Sequence, residues 1–226
     1  MATQRFILVL LIICGLSATF AGCFGTSPSP RFYTLVPPES ERVSEATGLD
    51  TAVGIGPVTI PDYLDRKQIV TRFGRNEIVL AEFDQWGGSL EEEISRALVT
   101  DLAVRLSSKG ITVLPWRSPL LAKSRTVYRI PVTVTRFDGT RWEKVVLNAQ
   151  WGVFIREKRE EGLLAKESTL TEEIPDKSYE ALVAAMGKAV KGLGKEIADC
   201  VVTVAAKKTD NKEPGVQGRL SRVNMP

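Results

Sequence analysis

Cys23 is the residue best placed for covalent chemistry. It lies in TFAGCFGTSPSP, residues 19–30, where an apolar N-terminus gives way to a polar chain. Ala21 and Gly22 precede it and a Gly/Ser/Pro-rich spacer follows, so its thiol is not embedded in a core-forming segment. Most other chemistry is missing. The 226 residues contain no histidine. That removes Ser-His-Asp and Cys-His nucleophile systems, HExxH zinc sites and imidazole metal ligands. The chain has 3 cysteines, too few for a structural zinc site. No serine has a lysine three residues on, so the SxxK nucleophile is absent. Paired carboxylates could still do acid–base work, and Glu91-Glu92-Glu93 is the obvious cluster. GKAVKGLGK, residues 187–195, has only the outline of a phosphate loop: Leu193 stands where the motif needs Lys, and no strand leads in. These absences point away from an enzyme and from any cofactor.

The residues before Cys23 read as an export signal. Arg5 supplies a positive charge, and FILVLLIICGL, residues 6–16, has about the length of a signal-peptide apolar region. A retained membrane anchor over 6–24 is a competing reading, diluted by Ser17, Thr19 and glycines. A plain secretory signal is another. Phe20-Ala21-Gly22-Cys23 resembles the lipobox of bacterial lipoproteins, with Phe20 where Leu is usual. That resemblance implies cleavage before Cys23 and a diacylglycerol on its thiol. Each buried methylene contributes about 0.8 kcal/mol, and two or more acyl chains anchor stably. Residue 24 is Phe rather than Asp. By the same resemblance the chain goes to the outer membrane, facing the periplasm. Cys14 leaves with the signal and acylation occupies Cys23, so no internal disulfide framework remains.

The mature chain is long enough for one domain with a sizeable core. The formal charge is only +3, with both signs interspersed, which argues against a nucleic-acid surface. The reading divides the chain into a signal at 1–22, the lipidated Cys23 and tether at 23–50, one domain at 51–205, and a disordered tail at 206–226. Within the tether, RFYTLVPP has strand character, so an edge strand near 31–36 is expected. TAVGIGPVTI follows as a core strand bent at Gly56-Pro57. KQIVTR and EIVLA form a hairpin about FGRN.

Ser89 and Glu92 predict a capping box at the start of a helix whose apolar face is Leu90, Ile94, Ala97, Leu98, Leu102 and Leu106. This gives the three glutamates a structural explanation at the positive end of the helix dipole. ITVLPW reads as a short strand. VYRIPVTVT alternates, with Pro131 marking an edge or a bulge, and FDGTRW, residues 137–142, supplies the following turn. KVVLNAQWGVFIR has the clearest period of two. REKREEG is a charged turn and LLAKESTLTEEI a weaker strand. A second helix is expected over 176–203, with Cys200 as a small core residue and three glycines that weaken it or permit close packing. The fold class is α+β: a two-layer arrangement of a mainly antiparallel or mixed sheet with two amphipathic helices on one face.

Several stretches together resemble the PqiC-type, or ABC-type transport auxiliary, lipoprotein family. They are RFYTL, VGIGPVTIPDYLDRKQIVTR at 53–72, EFDQWGGSLEEEISRALVTDLAVRL into ITVLPW, and SYEALVAAMGKAVKGLGKEIA. The chain has Lys67 where Pro is usual in the family and Gly87-Gly88-Ser89 where an Ala-Glu-Pro type is usual. The resemblance implies an accessory lipoprotein, without chemistry of its own, of an envelope transport system containing MCE-domain proteins. Such systems are implicated in moving phospholipids or other hydrophobic molecules between membranes. Expected partners are an MCE-domain protein, the membrane through the lipid, and, as an open alternative, further copies in a homo-oligomer. The candidate partner-binding residues are Tyr63, Leu64, Asp65 and Arg66. A plainer reading packs Tyr63 and Leu64 in a strand-to-strand loop and pairs Asp65 with Arg66. Trp86 and Trp116 read as rim contacts or core. A lipoprotein that itself holds a lipid between sheet and helices is the alternative function.

Overall fold

The structure, a computed structural model, describes residues 28–35, 50–140, 142–156 and 160–210. The expected export signal, Cys23, most of the expected tether, residues 157–159 of the expected charged turn and the expected tail beyond 210 lie outside the described residues. Contacts divide the chain into Met1–Pro30 and Arg31–Pro226, and the fold is that of the second unit.

The elements are β1 (Arg31–Tyr33), β2 (Thr51–Thr59), β3 (Gln68–Phe73), β4 (Glu77–Trp86), α1 (Leu90–Ser107), β5 (Ile111–Pro115), a 3-10 turn (Pro119–Lys123), β6 (Thr126–Thr140), β7 (Lys144–Arg156), β8 (Glu160–Glu173) and α2 (Tyr179–Asp210). They form one mixed 8-stranded sheet with the two helices packed against each other and against the sheet, an α+β architecture.

The spine is β6, 15 residues long. Along one side β7 pairs with it antiparallel, from Val127↔Arg156 to Thr140↔Lys144, and β8 continues outward. Along the other side two parallel strands lie end to end. First comes β2, from Thr51↔Thr126 to Thr59↔Thr133; then β3, at Thr71↔Gly139 and Arg72↔Thr140. Outside β2 runs β5. Outside β3 runs β4, and β1 joins the C-terminal end of β4 in parallel.

Pro131 is therefore not on an edge, because β6 is paired on both sides. The bulge reading holds instead. The β2–β6 register slips between Ile55 and Val58, opposite Ile130 and Val132. Gly56, with φ 116°, and the cis Gly56-Pro57 bond occupy the slip. The missing N–H of Pro131 falls where the ladder is already interrupted. A side chain on Gly56 would also strike the indole of Trp116.

FDGTRW is not all turn. The strand β6 continues to Thr140, and Trp142 takes the positive φ of 62°. The polar FDGT run stays extended because Phe137 enters the core while Asp138 is neutralised on the other side of the sheet. Ser89 is the N-cap of α1, but its hydroxyl makes no capping bond, so the capping box does not form. Glu93 takes a different role. It is buried, accepts the backbone N–H of Leu35 at 3.1 Å on one oxygen and Arg96 at 2.9 Å on the other. The segment after β1 is thereby fixed to the start of α1.

The core lies between helices and sheet. Val145, Leu147, Ala149, Trp151, Val153 and Ile155 of β7 supply one buried face. Met186 and Leu193 of α2 pack on this side of the sheet, and Leu98 and Leu102 of α1, which lies against β2 and β5, complete the same core. Cys200 is half-buried at the margin of this core, and burial pushes its thiol up. The glycines of α2 divide by position. Gly187 faces open space, whereas a side chain at Gly194 would collide with the Asp101 carboxylate of α1, which Arg105 holds at 2.6 Å. Close helix packing explains Gly194. The helix also runs past 203 to Asp210, through residues that the sequence reading gave to the tail.

Candidate functional site

Successive β residues point to opposite faces. Phe137 enters the core and a side chain at Gly139 would strike Leu182 of α2, so both face the helices. Asp138, between them, faces the other side and is 0 % exposed. A carboxylate buried without partners would cost several kcal/mol. Here it is fully engaged. Arg72 donates from Nη2 at 3.0 Å and Nε at 3.2 Å to Oδ2. Arg136 donates from Nε at 3.0 Å to Oδ1, and the Tyr63 hydroxyl donates at 3.1 Å to Oδ2.

Local structure brings these groups together. Arg72 is delivered by the β3–β6 register. Arg136 is two residues before Asp138, on the same face, and its Nη2 also donates to Thr140 Oγ1 at 3.0 Å. The Arg72 guanidinium lies 5.7 Å from the Tyr63 ring centre, and its Nη1 donates to the Arg75 carbonyl at 3.2 Å. Burial, and then the negative charge of Asp138, push the Tyr63 phenol above its ordinary range. The hydrogen bond to Asp138 raises Arg72. The cluster sets one carboxylate against two guanidinium groups and a phenol. Its carboxylate has no oxygen left for acid–base work, so its effect is to lock the β2–β3 loop onto the sheet.

That loop, residues 60–67, contains the candidate partner-binding residues, and the structure divides them. Tyr63 goes to Asp138. Leu64 is 1 % exposed and belongs to the main core. Asp65 and Arg66 are exposed and make no ion pair with each other among the described residues. Backbone bonds from Leu64 to Pro61 at 2.9 Å and from Arg66 to Leu64 at 2.8 Å tighten the turn that presents them. Trp86 is buried in the core. Trp116 is half-buried, with the guanidinium groups of Arg117 and Arg129 at 4.8 and 5.3 Å from its ring.

A feature absent from the sequence reading lies beside the cluster. Phe73, Trp142 and Tyr179, with Thr71, Arg72 and Val79, line a cleft of about 370 Å³ at the start of α2. Trp142 and Tyr179 meet edge-to-face at 4.9 Å. Tyr33 stands 6.4 Å from Tyr179 and donates to Asp84 at 2.8 Å, which Arg31 also meets at 2.8 Å. Burial pushes the Tyr33 and Tyr179 phenols up. The lining comes from three distant stretches. Its only trace in the sequence is an aromatic beside each of two reversals, Phe73 before Gly74 and Trp142 after Thr140. A second, shallow cleft of about 420 Å³ lies over Pro131, Gly152 and Phe154.

The profile of the ABC-type transport auxiliary lipoprotein component family matches residues 33–198. The intermembrane transport lipoprotein PqiC of Escherichia coli (strain K12) is 27% identical over 131 residues, which is 58% of this chain and 66% of that relative. The same-named protein of Shigella flexneri matches equally. Two crystal structures share the fold. One is of an uncharacterized protein, at TM-score 0.62 and 19% identity, covering 77% of this chain and 99% of that one. The other is of a Xanthomonas campestris protein, at TM-score 0.57 and 13% identity, covering 82% and 99%. The match across most of the described domain, from β1 into α2, places this chain in the family of ABC-type transport auxiliary lipoprotein components.

Proposed function

We propose that this chain is a lipid-anchored, non-catalytic docking component of an MCE-type envelope transport system for lipids or other hydrophobic molecules, supporting envelope integrity. Cys23 carries the lipid and holds the domain at the periplasmic face of the outer membrane. The observation that carries this reading is the family match over 33–198, set just after a lipobox-like Phe20-Ala21-Gly22-Cys23. The relative's description as an intermembrane transport lipoprotein supports the transport role.

The partner-binding role falls to the β2–β3 loop. Tyr63 and Leu64 hold it from inside, and Asp65 and Arg66 offer opposite charges outside. Arginine is a frequent interface anchor. The alternative, a lipid held between sheet and helices, has less support because buried side chains fill that interface.

The test is affinity purification of tagged full-length protein from gently solubilised envelopes, followed by mass spectrometry. Recovery of an MCE-domain protein with wild type, and its loss in Arg66→Glu with Asp65→Lys, is the expected result. Repeated recovery of the lipoprotein alone, with other envelope complexes intact, would turn the reading toward the ligand carrier. Cys23→Ser is expected to release the domain from the membrane fraction.

A further inference from the structure

Four of the large apolar residues that the described structure leaves exposed gather on one hairpin. Phe73 of β3 is 49 % exposed, and Ile78, Val79 and Leu80 of β4 are 37, 42 and 41 % exposed. The register pairs Arg72↔Ile78, Thr71↔Val79 and Val70↔Leu80. Ile78 and Leu80 therefore point to one face of the hairpin and Val79 to the other, so a single sheet–helix core could not bury all three. Among the described residues this stretch is also a sheet edge. Pairing with β1 covers β4 only at Asp84, Gln85 and Trp86. Edge strands are ordinarily protected by charge, proline or a covering element; this one presents three consecutive apolar residues.

The direction of β1 says where the chain comes from. It runs parallel to β4, with Arg31 opposite Asp84 and Tyr33 opposite Trp86. Arg31 is thus the end of β1 nearer the hairpin tip. Only residues 24–30 separate Cys23 from Arg31, a reach of about 29 Å at most. From Asp84 back to Leu80 is about 13 Å along the strand. A lipid on Cys23 therefore leaves a short leash that lets the exposed edge meet the bilayer.

The geometry points to the β3–β4 edge, Phe73 with Ile78, Val79 and Leu80, as a second membrane contact that rests on the bilayer holding the lipid anchor. This inference rests on Cys23 being acylated. The contact lies in the interfacial region, the outer 5–10 Å or so where amphipathic elements settle. Water still reaches the edge's unpaired backbone groups there, whereas the hydrocarbon centre would strand them. A tethered second contact gains from the high effective concentration that the anchor imposes, so a modest apolar patch suffices. The β2–β3 loop opens at the opposite end of β3, about 20 Å from the hairpin turn, and stays clear of the membrane.

The experiment places a photo-reactive benzophenone side chain at Ile78, at Leu80 and, as a control, at the equally exposed Leu120 of the 3-10 turn, in the full-length chain in cells. After irradiation, the purified protein is digested and searched by mass for phospholipid adducts. Adducts at 78 and 80 at least five-fold above those at 120 are expected. A crosslinked dimer or a protein adduct in place of lipid at 78 and 80 would overturn the inference and give the edge to a protein partner, and equal lipid yield at all three positions would overturn it as unspecific lipid contact. The same digest reports the mass of the N-terminal peptide. A bare Cys23 sinks the anchor and this contact together, whereas an acylated Cys23 without adducts at 78 and 80 sinks the contact alone.

Discussion

Asp138 and the run Ile78–Leu80 lie two strands apart on one sheet, and each reverses the usual division of residues. The carboxylate is wholly buried while the apolar run stands more than a third exposed. Polarity does not explain the difference; partners do. Asp138 has two guanidinium groups and a phenol from its own chain. Ile78 and Leu80 face away from Val79, and β1 stops short of them. One region is closed by the chain itself, and the other is left open among the described residues.

The sharpest way to break this contrast is to remove the closing charge. Asp138→Ala leaves Arg72 and Arg136 facing each other over an empty site. Losing one partner of a buried pair costs about 3–5 kcal/mol. For a domain of this size that corresponds to a melting temperature lower by roughly 10 °C, measurable by thermal unfolding of the purified domain. Replacing the three charged residues together, as Asp138→Leu, Arg72→Met and Arg136→Met, should recover most of that loss, since well-packed apolar groups often substitute for a buried ion pair. Failure to recover would mean that the cluster contributes more than charge balance.

Within the β2–β3 loop the contrast recurs between adjacent residues. Leu64→Ala removes a core side chain and should cost about 2–4 kcal/mol. Asp65→Ala, at an exposed position, should stay within about 0.5 kcal/mol. Urea unfolding of the two variants separates a loop that is held from inside from one that merely lies on the surface.

The period-two pattern of β7 and the apolar stripes of both helices were readable in the sequence, because each reports a single face against a single core. The α+β class followed from them. Two local signals misled, and each was overridden by a distant partner. The polar run after Phe137 looks like a turn until Arg72, 66 positions away, neutralises Asp138. Ser89 and Glu92 look like a capping box, but Glu93 is drawn inward by the N–H of Leu35. Pro131 left an edge and a bulge open, and the slip in β2 decides for the bulge. Of the proposed partner-binding residues, the sequence located the loop and left open whether Tyr63 and Leu64 turn inward, because a four-residue turn carries no period. The aromatic cleft was invisible for a similar reason, since its walls meet only in the fold.

Tyr63 joins the buried cluster to pH. Its phenol is pushed above the ordinary value by burial and by Asp138. The unfolded phenol ionises near pH 10 while the folded one stays neutral, so above that pH the unfolded state binds fewer protons. Stability from this group is therefore complete below about pH 10 and is lost as pH rises through the folded value. Tyr63→Phe should cost about 1.5–3 kcal/mol at neutral pH, as expected for a hydrogen bond to a charged group, and should flatten the alkaline decline. Tyr33 and Tyr179, raised by burial, leave part of that decline in place. Chemical denaturation at pH 8 and pH 11 for both proteins measures the change in slope. An unchanged alkaline slope would detach the phenol from the cluster.

The smallest effect on folding belongs to the exposed edge, and its smallness is informative. Ile78→Thr and Leu80→Thr keep β-branched or strand-compatible side chains on a strand whose apolar surface is already in contact with water. Each should change stability by less than about 1 kcal/mol, against the larger cost at Leu64, because little further area becomes exposed. A loss as large as that of Leu64→Ala would show that the edge belongs to the core after all, and would erase the contrast with Asp138. Near-neutral stability together with weaker membrane retention of the acylated protein would show the reverse. The edge would then be apolar for what it meets outside the chain, just as Asp138 is tolerated for what it meets within.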